Sequence, residues 1–498
     1  MNYFRRPLRH RVLSLAALVA LSLAALPATS LAQQEMPPPP SAPRSVRFPK
    51  PVEKTLKNGL RVIVVEREGV PLVSAQLLVK AGGETDPQQL SGLAQMTATL
   101  LTKGTTTRSA TEIAQAIEAL GGTLNSGARW DASSVSTNIM SSRLGQAMEI
   151  LADVVRHPAF KDEEIERLRK QNLDGLRVSL RDPGAIAGLV AARVIFGDTP
   201  YGHPLGGTLE TIPLIKREAI ARMHQRYYRP ENAVLVIGGT IKPAEAFNLA
   251  ERVFGDWQIP PEPIVVATTT ASAPQSNPGS RVIVIDKPDA GQAAVVLART
   301  GIKRTDQDYF RGIVANSILS GYSGRLNQEI RIKRGLSYGA GSALDVRRDV
   351  GPFVASAQTK NESGAEVASL LMGELARLSE GQLSDVEMTP RKAVLIGSFA
   401  RNLETSGGLV NQVASLALYG LSLDEINNYI KNVQAISSSD VQQFAGGRLS
   451  SKGANLIIVG DASKFLDSLR KQFPNVEVIR EADLDLNSAG LHRSTNNP

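Results

Sequence analysis

The sequence contains no cysteine, and this absence excludes disulfide bridges, thiolate metal ligands and a cysteine nucleophile. Histidine is also scarce, with five residues in a chain of 498, and His10 belongs to the first 32 residues. The others are His157, His203, His224 and His492. No two of them stand three or four positions apart, which is the spacing that places two imidazoles on one helical face. We interpret each as a core or surface histidine.

Several common functional signatures are also missing. There is no Gly-x-Ser-x-Gly elbow, Walker loop or dinucleotide-binding fingerprint. The formal charge is +8, but the first 32 residues hold four arginines and no acid; without them, 52 basic and 48 acidic residues leave +4. This balance gives no reason to expect a nucleic-acid partner. The content of 42% hydrophobic and 21% charged residues is typical of a globular protein.

The first 32 residues have the anatomy of a secretory signal peptide. Arginines come first, an apolar run over 12–26 follows, and Ser-Leu-Ala at 30–32 precedes Gln33. The run is short for a bilayer span. We therefore expect cleavage, a periplasmic mature protein without a stable membrane span, and no lipid anchor, since no cysteine follows the site. An uncleaved anchor is the alternative.

The mature chain repeats one pattern. The strand-like segment 61–66 is nearly repeated at 281–286, 220 positions later. The segment 455–460 likewise resembles the strand that ends at Gly238. The helices that follow end at Phe254 and Phe473. Three landmarks at almost one offset predict two homologous α+β domains of roughly 200 residues each.

Composition suggests where these domains begin and end. A proline-rich tether over 33–50 precedes an N-terminal domain over 51–259. Residues 260–280 are rich in Pro, Thr, Ser and Ala and indicate a linker. The C-terminal domain then covers 281–481, and residues 482–498 form a polar, mobile tail.

Two segments of the sequence are candidates for a functional site. Residues 92–105 have the apolar spacing of an amphipathic helix, which Gly104 can end. In the second half, a helix through Leu326 and Ile330 ends at Gly335, and Tyr338 opens a strand. Such a corner can offer the Arg331 guanidinium and the Tyr338 phenol to a peptide carbonyl or carboxylate. A cluster of cations at a helix C-terminus beside a packing tyrosine is the alternative.

Together these stretches resemble the pitrilysin and mitochondrial processing peptidase family of inverted zincins. Members carry Gly-Leu-Ala-His-x-x-Glu-His-x-x-x-x-Gly-Thr near the N-terminus. The frame of that motif is matched in register by Gly92, Leu93, Ala94, Gly104 and Thr105. The resemblance extends over nearly the whole mature chain and implies two homologous domains, each a mainly antiparallel sheet packed with helices.

The chemical positions of the motif differ from those of the family. Gln95 stands at the first histidine ligand, Ala98 at the glutamate base and Thr99 at the second histidine. The family's third ligand falls on Gly175, or on Asp174 if the register slips by one residue. Zinc requires three protein donors and a base for its water. The resemblance thus implies no metal in this chain and no hydrolysis by the chain alone.

In family members, an arginine and a tyrosine seven residues apart in the C-terminal half bind the substrate backbone, and Arg331 and Tyr338 have that spacing. Some bacterial relatives divide the work between two chains, and this one resembles the chain that supplies the pair. We therefore expect a non-catalytic, substrate-binding subunit of a heterodimeric zinc peptidase. A homologous partner with His-x-x-Glu-His would supply the zinc, and peptides or small unfolded proteins would be the substrates.

Other functions remain open. The chain could be a scaffold subunit, as in the respiratory-complex cores that share this fold, or a peptide-binding protein that acts alone. An enzyme with relocated metal ligands is disfavoured by the scattered histidines.

Overall fold

The computed structural model of the chain describes residues 48–264, 280–381 and 383–493. The predicted signal peptide, nearly all of the tether, most of the linker and the last five residues of the tail lie outside these ranges. Among the helices that are described, none combines the length and the apolar character needed to cross a membrane.

Two six-stranded sheets organise the described chain. The first has the order β1-β2-β6-β3-β5-β4 and the second the order β12-β7-β11-β8-β10-β9. In each sheet one inner pair is parallel, β2 with β6 and β7 with β11, and most of the other pairs are antiparallel. The strands are β1 (Val52–Thr55), β2 (Arg61–Glu66), β3 (Leu72–Val79), β4 (Thr123–Ala128), β5 (Ser133–Met140), β6 (Ala233–Gly239), β7 (Val282–Asp286), β8 (Ala293–Thr300), β9 (Ala340–Leu344), β10 (Pro352–Thr359), β11 (Asn455–Gly460) and β12 (Val476–Arg480).

Fifteen α-helices are found within the described ranges. Those of the first half are α1 (Leu93–Leu100), α2 (Ala110–Ala119), α3 (Leu144–Arg156), α4 (Asp162–Ser179), α5 (Pro183–Phe196), α6 (Arg217–Tyr227) and α7 (Pro243–Phe254). Those of the second half are α8 (Tyr309–Leu319), α9 (Arg325–Asn327), α10 (Gly364–Glu380), α11 (Asp385–Leu403), α12 (Ser406–Leu418), α13 (Glu425–Ala435), α14 (Ser438–Phe444) and α15 (Leu466–Gln472). The predicted α+β fold of two homologous, mainly antiparallel sheets is confirmed.

Both faces of each sheet are buried, and the strand sequences reflect this. Along β2, Val62 and Val64 face one apolar cluster, whereas Ile63 and Val65 face another. Side chains alternate between the faces of a strand, so a continuous apolar run indicates a strand covered on both sides. This is why the segments 61–66 and 455–460 are observed at their predicted bounds.

The helix that covers the second face of each sheet comes from the other half of the chain. Helix α5 precedes the linker, yet its Ile186 and Val190 pack with Ile283 and Ile457 of the second sheet. Helix α12, from the second half, packs in return on β3 and β6 of the first sheet. The two halves therefore exchange helices and complete each other's cores.

The segment expected as a mobile polar tail is packed where the structure describes it. Leu484 and Leu491 are buried in the cluster around α5. The fully buried Arg193 of α5 donates two hydrogen bonds to the carbonyl oxygen of Leu486, at 2.9 and 3.1 Å. The prediction of mobility was wrong for 482–493, because two apolar side chains and one carbonyl find partners 290 or so residues earlier.

Candidate functional site

The backbone conformation around α1 explains why the glycine at the start of the motif frame is needed. Gly92 has φ = 96°, and a Cβ at this position would lie 2.8 Å from Cδ1 of Ile212. Glycine is therefore the residue that fits. The carboxylate of Asp86 accepts hydrogen bonds from the backbone N–H groups of Gly92 and Ala94, at 2.9 and 2.8 Å. Burial raises the pKa of Asp86 well above its ordinary value, and these hydrogen bonds oppose the rise. Asp86 was missed by sequence reasoning because it precedes the helix by six residues.

The side chains at the former ligand positions are bonded within the fold. Oε1 of Gln95 accepts a hydrogen bond from the backbone N–H of Ala128 in β4, at 3.1 Å. The hydroxyl of Thr99 donates to the carbonyl oxygen of Gln95, at 2.8 Å. Ala98 is fully buried, and its carbonyl oxygen accepts a hydrogen bond from Ser126. Gln95 and Ala98 thus join α1 to the edge strand β4, while Thr99 bonds within the helix.

The third ligand position offers no better donor. Gly175 of α4 has open space beside it, and the exposed carboxylate of Asp174 pairs with Arg177 at 2.8 Å. Within the described ranges, no group of three or more histidine, aspartate or glutamate side chains is arranged to hold a metal ion. A zinc ion prefers histidine, cysteine and carboxylate donors. The residues at the vacated motif therefore do not fit zinc.

The four described histidines occupy core or surface positions, as predicted. His203 is buried and His224 is partly buried, and burial lowers the pKa of each to about 4. Nε2 of His224 lies 2.7 Å from the carbonyl oxygen of Val155, and its ring stacks on Tyr228. His157 and His492 are about half exposed and lie beside carboxylates. None of these arrangements assembles a catalytic site.

The helical corner predicted in the second half is observed. Helix α9 continues as a π-helix over Gln328–Lys333, and Ile330 is fully buried. Gly335 has φ = 64°, and its N–H donates to the carbonyl oxygen of Arg331 at 2.9 Å, which ends the helix as predicted. Strand β9 begins at Ala340 rather than at Tyr338, because a local turn bonds the Ser337 hydroxyl to Gly339 first.

Arg331 differs from the other cations of this segment. Lys333 and Arg334 each pair with the carboxylate of Glu329 at 3.0 Å, and Arg325 pairs with Glu387 at 2.6 Å. Hydrogen bonding from Lys333 is the largest of several effects that lower the pKa of Glu329. Across the described residues, the Arg331 side chain forms no ion pair and no hydrogen bond, so its five N–H donors are free.

The Tyr338 side chain also forms no hydrogen bond within the described residues, and it borders a groove. Its side chain is 87% exposed, at the end of the turn that leads into β9. The groove has a volume of about 410 Å³ and lies between α5 and the second sheet. Its lining includes Tyr338, Gly188 of α5, and Val354 and Gln358 of β10, and no charged side chain. The structure thus leaves Tyr338 exposed beside an uncharged groove, while the partly exposed Arg331 does not line that groove.

Two family models match the chain. The model described as "Insulinase (Peptidase family M16)" matches residues 61–182, and "Peptidase M16 inactive domain" matches residues 215–395. The first match spans α1, and the second spans the corner with Arg331 and Tyr338. Together they cover parts of both halves of the described chain.

Individual relatives agree with these matches. An uncharacterized zinc protease of Mycobacterium leprae is 28% identical over 416 residues, which are 82% of this chain and 92% of the relative. A peptidase M16 inactive domain structure from Pseudomonas fluorescens is 25% identical, with a TM-score of 0.75, and 82% and 98% of the two chains are covered. The structure of a protease from Helicobacter pylori has a TM-score of 0.78 at 21% identity, over 83% and 100% of the two chains.

Proposed function

The chain belongs to the peptidase M16 family, also called the pitrilysin family, and from that premise we propose that it is a non-catalytic subunit that binds substrate for a zinc-bearing homologue. One observation carries the proposal. Gln95 and Thr99 stand at two zinc-ligand positions of the family and Ala98 at the position of its base, while Arg331 and Tyr338 have the spacing of the family's substrate-binding pair and form no side-chain hydrogen bond or ion pair among the described residues. The pair favours a substrate-binding subunit over a pure scaffold, which does not require these two residues.

The two side chains suit the main chain of an extended peptide. A guanidinium presents several N–H groups in a rigid fork, which matches a carbonyl or a carboxylate oxygen. A phenol can donate to a second carbonyl or accept from an N–H group. Contacts of this kind recognise the backbone and tolerate varied side chains. The groove beside Tyr338 would then accommodate an uncharged side chain of the same peptide.

The partner would be a homologous chain with an intact His-x-x-Glu-His motif. It would supply the zinc and the general base, while this chain would hold the peptide in a productive orientation. The signal-like anatomy of residues 1–32 supports placing the pair in the periplasm. Peptides or small unfolded proteins are the substrates that such a pair would receive.

The test begins by co-purifying the chain with each chain of the same genome that carries His-x-x-Glu-His. The complex is then assayed with a quenched fluorescent peptide library. Orientation of the substrate can contribute several kcal/mol to a barrier. We expect Arg331→Ala to lower kcat/KM by about ten-fold or more, and Tyr338→Phe by a smaller factor, since removal of one neutral hydrogen bond costs about 1 kcal/mol.

Arg401→Ala is the matched control, because Arg401 is an exposed arginine of α11 whose Nη2 bonds only to Ser398 at 3.0 Å. It should leave turnover unchanged. Wild-type turnover in both Arg331→Ala and Tyr338→Phe would contradict the proposed role. A stable complex that cleaves no peptide would favour the scaffold alternative, and peptide affinity without any such complex would favour a binding protein that acts alone.

A further inference from the structure

The ring of Tyr322 lies next to the guanidinium of Arg331. Tyr322 belongs to the loop between α8 and α9, and its side chain is 71% exposed. The guanidinium carbon of Arg331 lies 5.5 Å from the centroid of this ring. A cation within about 6 Å of an aromatic face is attracted by the ring quadrupole. Tyr322 is therefore the one side chain in the described structure with a specific interaction with Arg331.

The neighbouring cations Lys333 and Arg334 pair with carboxylates, whereas Arg331 does not within the described ranges. Glu329 lies two residues earlier on the same π-helix and already binds Lys333 and Arg334. Glu366 lies 3.5 Å from Arg334. An ion pair of this kind would occupy N–H groups of the Arg331 guanidinium. The contact with Tyr322 satisfies the positive charge through the ring face and uses none of the guanidinium N–H groups as hydrogen-bond donors.

Two buried side chains hold the backbone of the loop that carries Tyr322. The buried side chain of Asn327 donates to the carbonyl oxygen of Tyr322 at 2.6 Å. The guanidinium of Arg391, also buried, donates to the hydroxyl of Ser323 at 2.6 Å. These two hydrogen bonds join the loop to α9 and α11. The exposed Tyr322 ring therefore projects from an anchored backbone, which is the condition for an aromatic platform rather than a freely moving side chain.

We propose that Tyr322 is a positioning residue for peptide binding. Its ring fixes the position of the Arg331 guanidinium and keeps the N–H fork available to a backbone carbonyl or carboxylate of the peptide. This inference rests on the proposed function of Arg331 and adds the residue that prepares it. Tyr322 does not itself need to contact the substrate.

The test compares Tyr322→Leu with Tyr322→Phe in the zinc-bearing complex, with the same quenched peptide library as the probe. Leucine keeps apolar bulk but removes the ring, whereas phenylalanine keeps the ring face. We expect Tyr322→Leu to lower kcat/KM by about two- to five-fold, the factor that corresponds to a cation–π contact at an exposed site. Tyr322→Phe should behave like the wild type, and the melting temperatures of both variants should be unchanged.

A double-mutant cycle with Arg331→Ala separates the two proposals. In the Arg331→Ala background, Tyr322→Leu should have no further effect, since there is no guanidinium left to position. If Arg331→Ala impairs turnover but Tyr322→Leu does not, the inference about Tyr322 is overturned and the proposed function stands. Additive losses would also overturn it, because Tyr322 would then act independently of Arg331. Wild-type turnover in Arg331→Ala would remove both proposals together.

Discussion

At the scale of single residues, the backbone constrains the motif frame around α1 but does not constrain the side chains at the positions where the family binds zinc. Gly92 has a backbone conformation that favours glycine and no space for a Cβ, so it is constrained even without zinc. Gln95 and Thr99 carry no such constraint, and they now bond to β4 and to the helix itself. A ligand position is free to change once its metal is gone, whereas a strained backbone position is not.

The partly buried His224 gives a prediction about the pH dependence of the free energy of unfolding. Burial lowers the pKa of His224 to about 4, below the ordinary 6.5, and the nearby His157 adds to this effect. The unfolded chain therefore binds the proton more tightly, so stability from neutral His224 is present above pH 6.5 and is lost as pH falls towards 4. His224→Gln keeps a donor for the carbonyl of Val155 but cannot titrate.

We expect the stability advantage of the wild type over His224→Gln to shrink between pH 7 and pH 5, by about 2 kcal/mol. The measurement is urea unfolding of both proteins at each pH. Glu84 works in the opposite direction, since burial raises its pKa to about 8, but it is present in both proteins and does not affect their difference. A gap that stays constant with pH would contradict the prediction.

At the scale of elements, helix α5 both packs on the core of the second sheet and lines the groove beside Tyr338. Its Ile186 and Val190 complete the core of the second sheet, while Gly188 lies on the exposed side and lines the groove beside Tyr338. A glycine inside a helix costs about 0.5–1 kcal/mol relative to alanine. No atom lies within 4 Å of a Cβ built at Gly188, so packing inside this chain does not demand glycine there.

Gly188→Phe therefore tests whether the groove receives substrate. The phenyl ring would fill part of the groove while the helix gains propensity, so we expect an unchanged or raised melting temperature. Peptide turnover by the complex should fall by about ten-fold. Gly373→Phe is the control, because Gly373 lies in α10, has open space beside it and does not line the groove. Equal activity of the two variants would show that the groove is not used.

At the scale of the whole molecule, the helix exchange joins the two halves into one cooperative structure. Polar contacts reinforce it: Arg348 in the second half binds the carboxylate of Glu84 at 2.9 Å and the carbonyl oxygen of Asp131 at 2.7 Å. The guanidinium of Arg347 lies over the rings of Trp130 and Tyr201, at 4.5 and 4.7 Å. Neither half could unfold without exposing the core of the other.

Leu409→Ala should reveal this coupling. Leu409 belongs to α12 and is fully buried in the cluster that includes Val65 of the first sheet. A buried leucine-to-alanine change costs about 2–5 kcal/mol. Trp257 is buried in the core of the first half, whereas Trp130 also contacts Arg347 of the second half, so a Trp130→Phe background lets the fluorescence report on the first half alone. We expect the fluorescence transition in urea to shift with the circular dichroism transition.

Val386→Ala is the matched control, since Val386 of α11 is 86% exposed, and its shift should be within about 0.5 kcal/mol. A Leu409→Ala variant whose tryptophan transition stays at the wild-type position would mean that the halves unfold independently.

The sequence by itself determined the local features of this protein. Continuous apolar runs identified the strands 61–66 and 455–460, because strands buried on both faces need apolar residues at every position. The repeated offset predicted two related domains, and the motif frame located α1. The absence of the family's ligands at 95 and 99 and of its base at 98 could be read directly, because metal coordination and proton transfer depend on residue identity.

The lack of an ion pair at Arg331 within the described ranges has a partly local cause, because Arg331 stands two residues after Glu329, a spacing at which helical side chains do not face each other, whereas Lys333 and Arg334 stand four and five residues after Glu329 and pair with it. The tertiary structure alone decided which helix covers which sheet. The packing of 482–493 against α5 was likewise invisible in the sequence, since its partners stand about 290 residues away in the chain. Such choices depend on long-range contacts, which residue patterns along the chain do not encode locally.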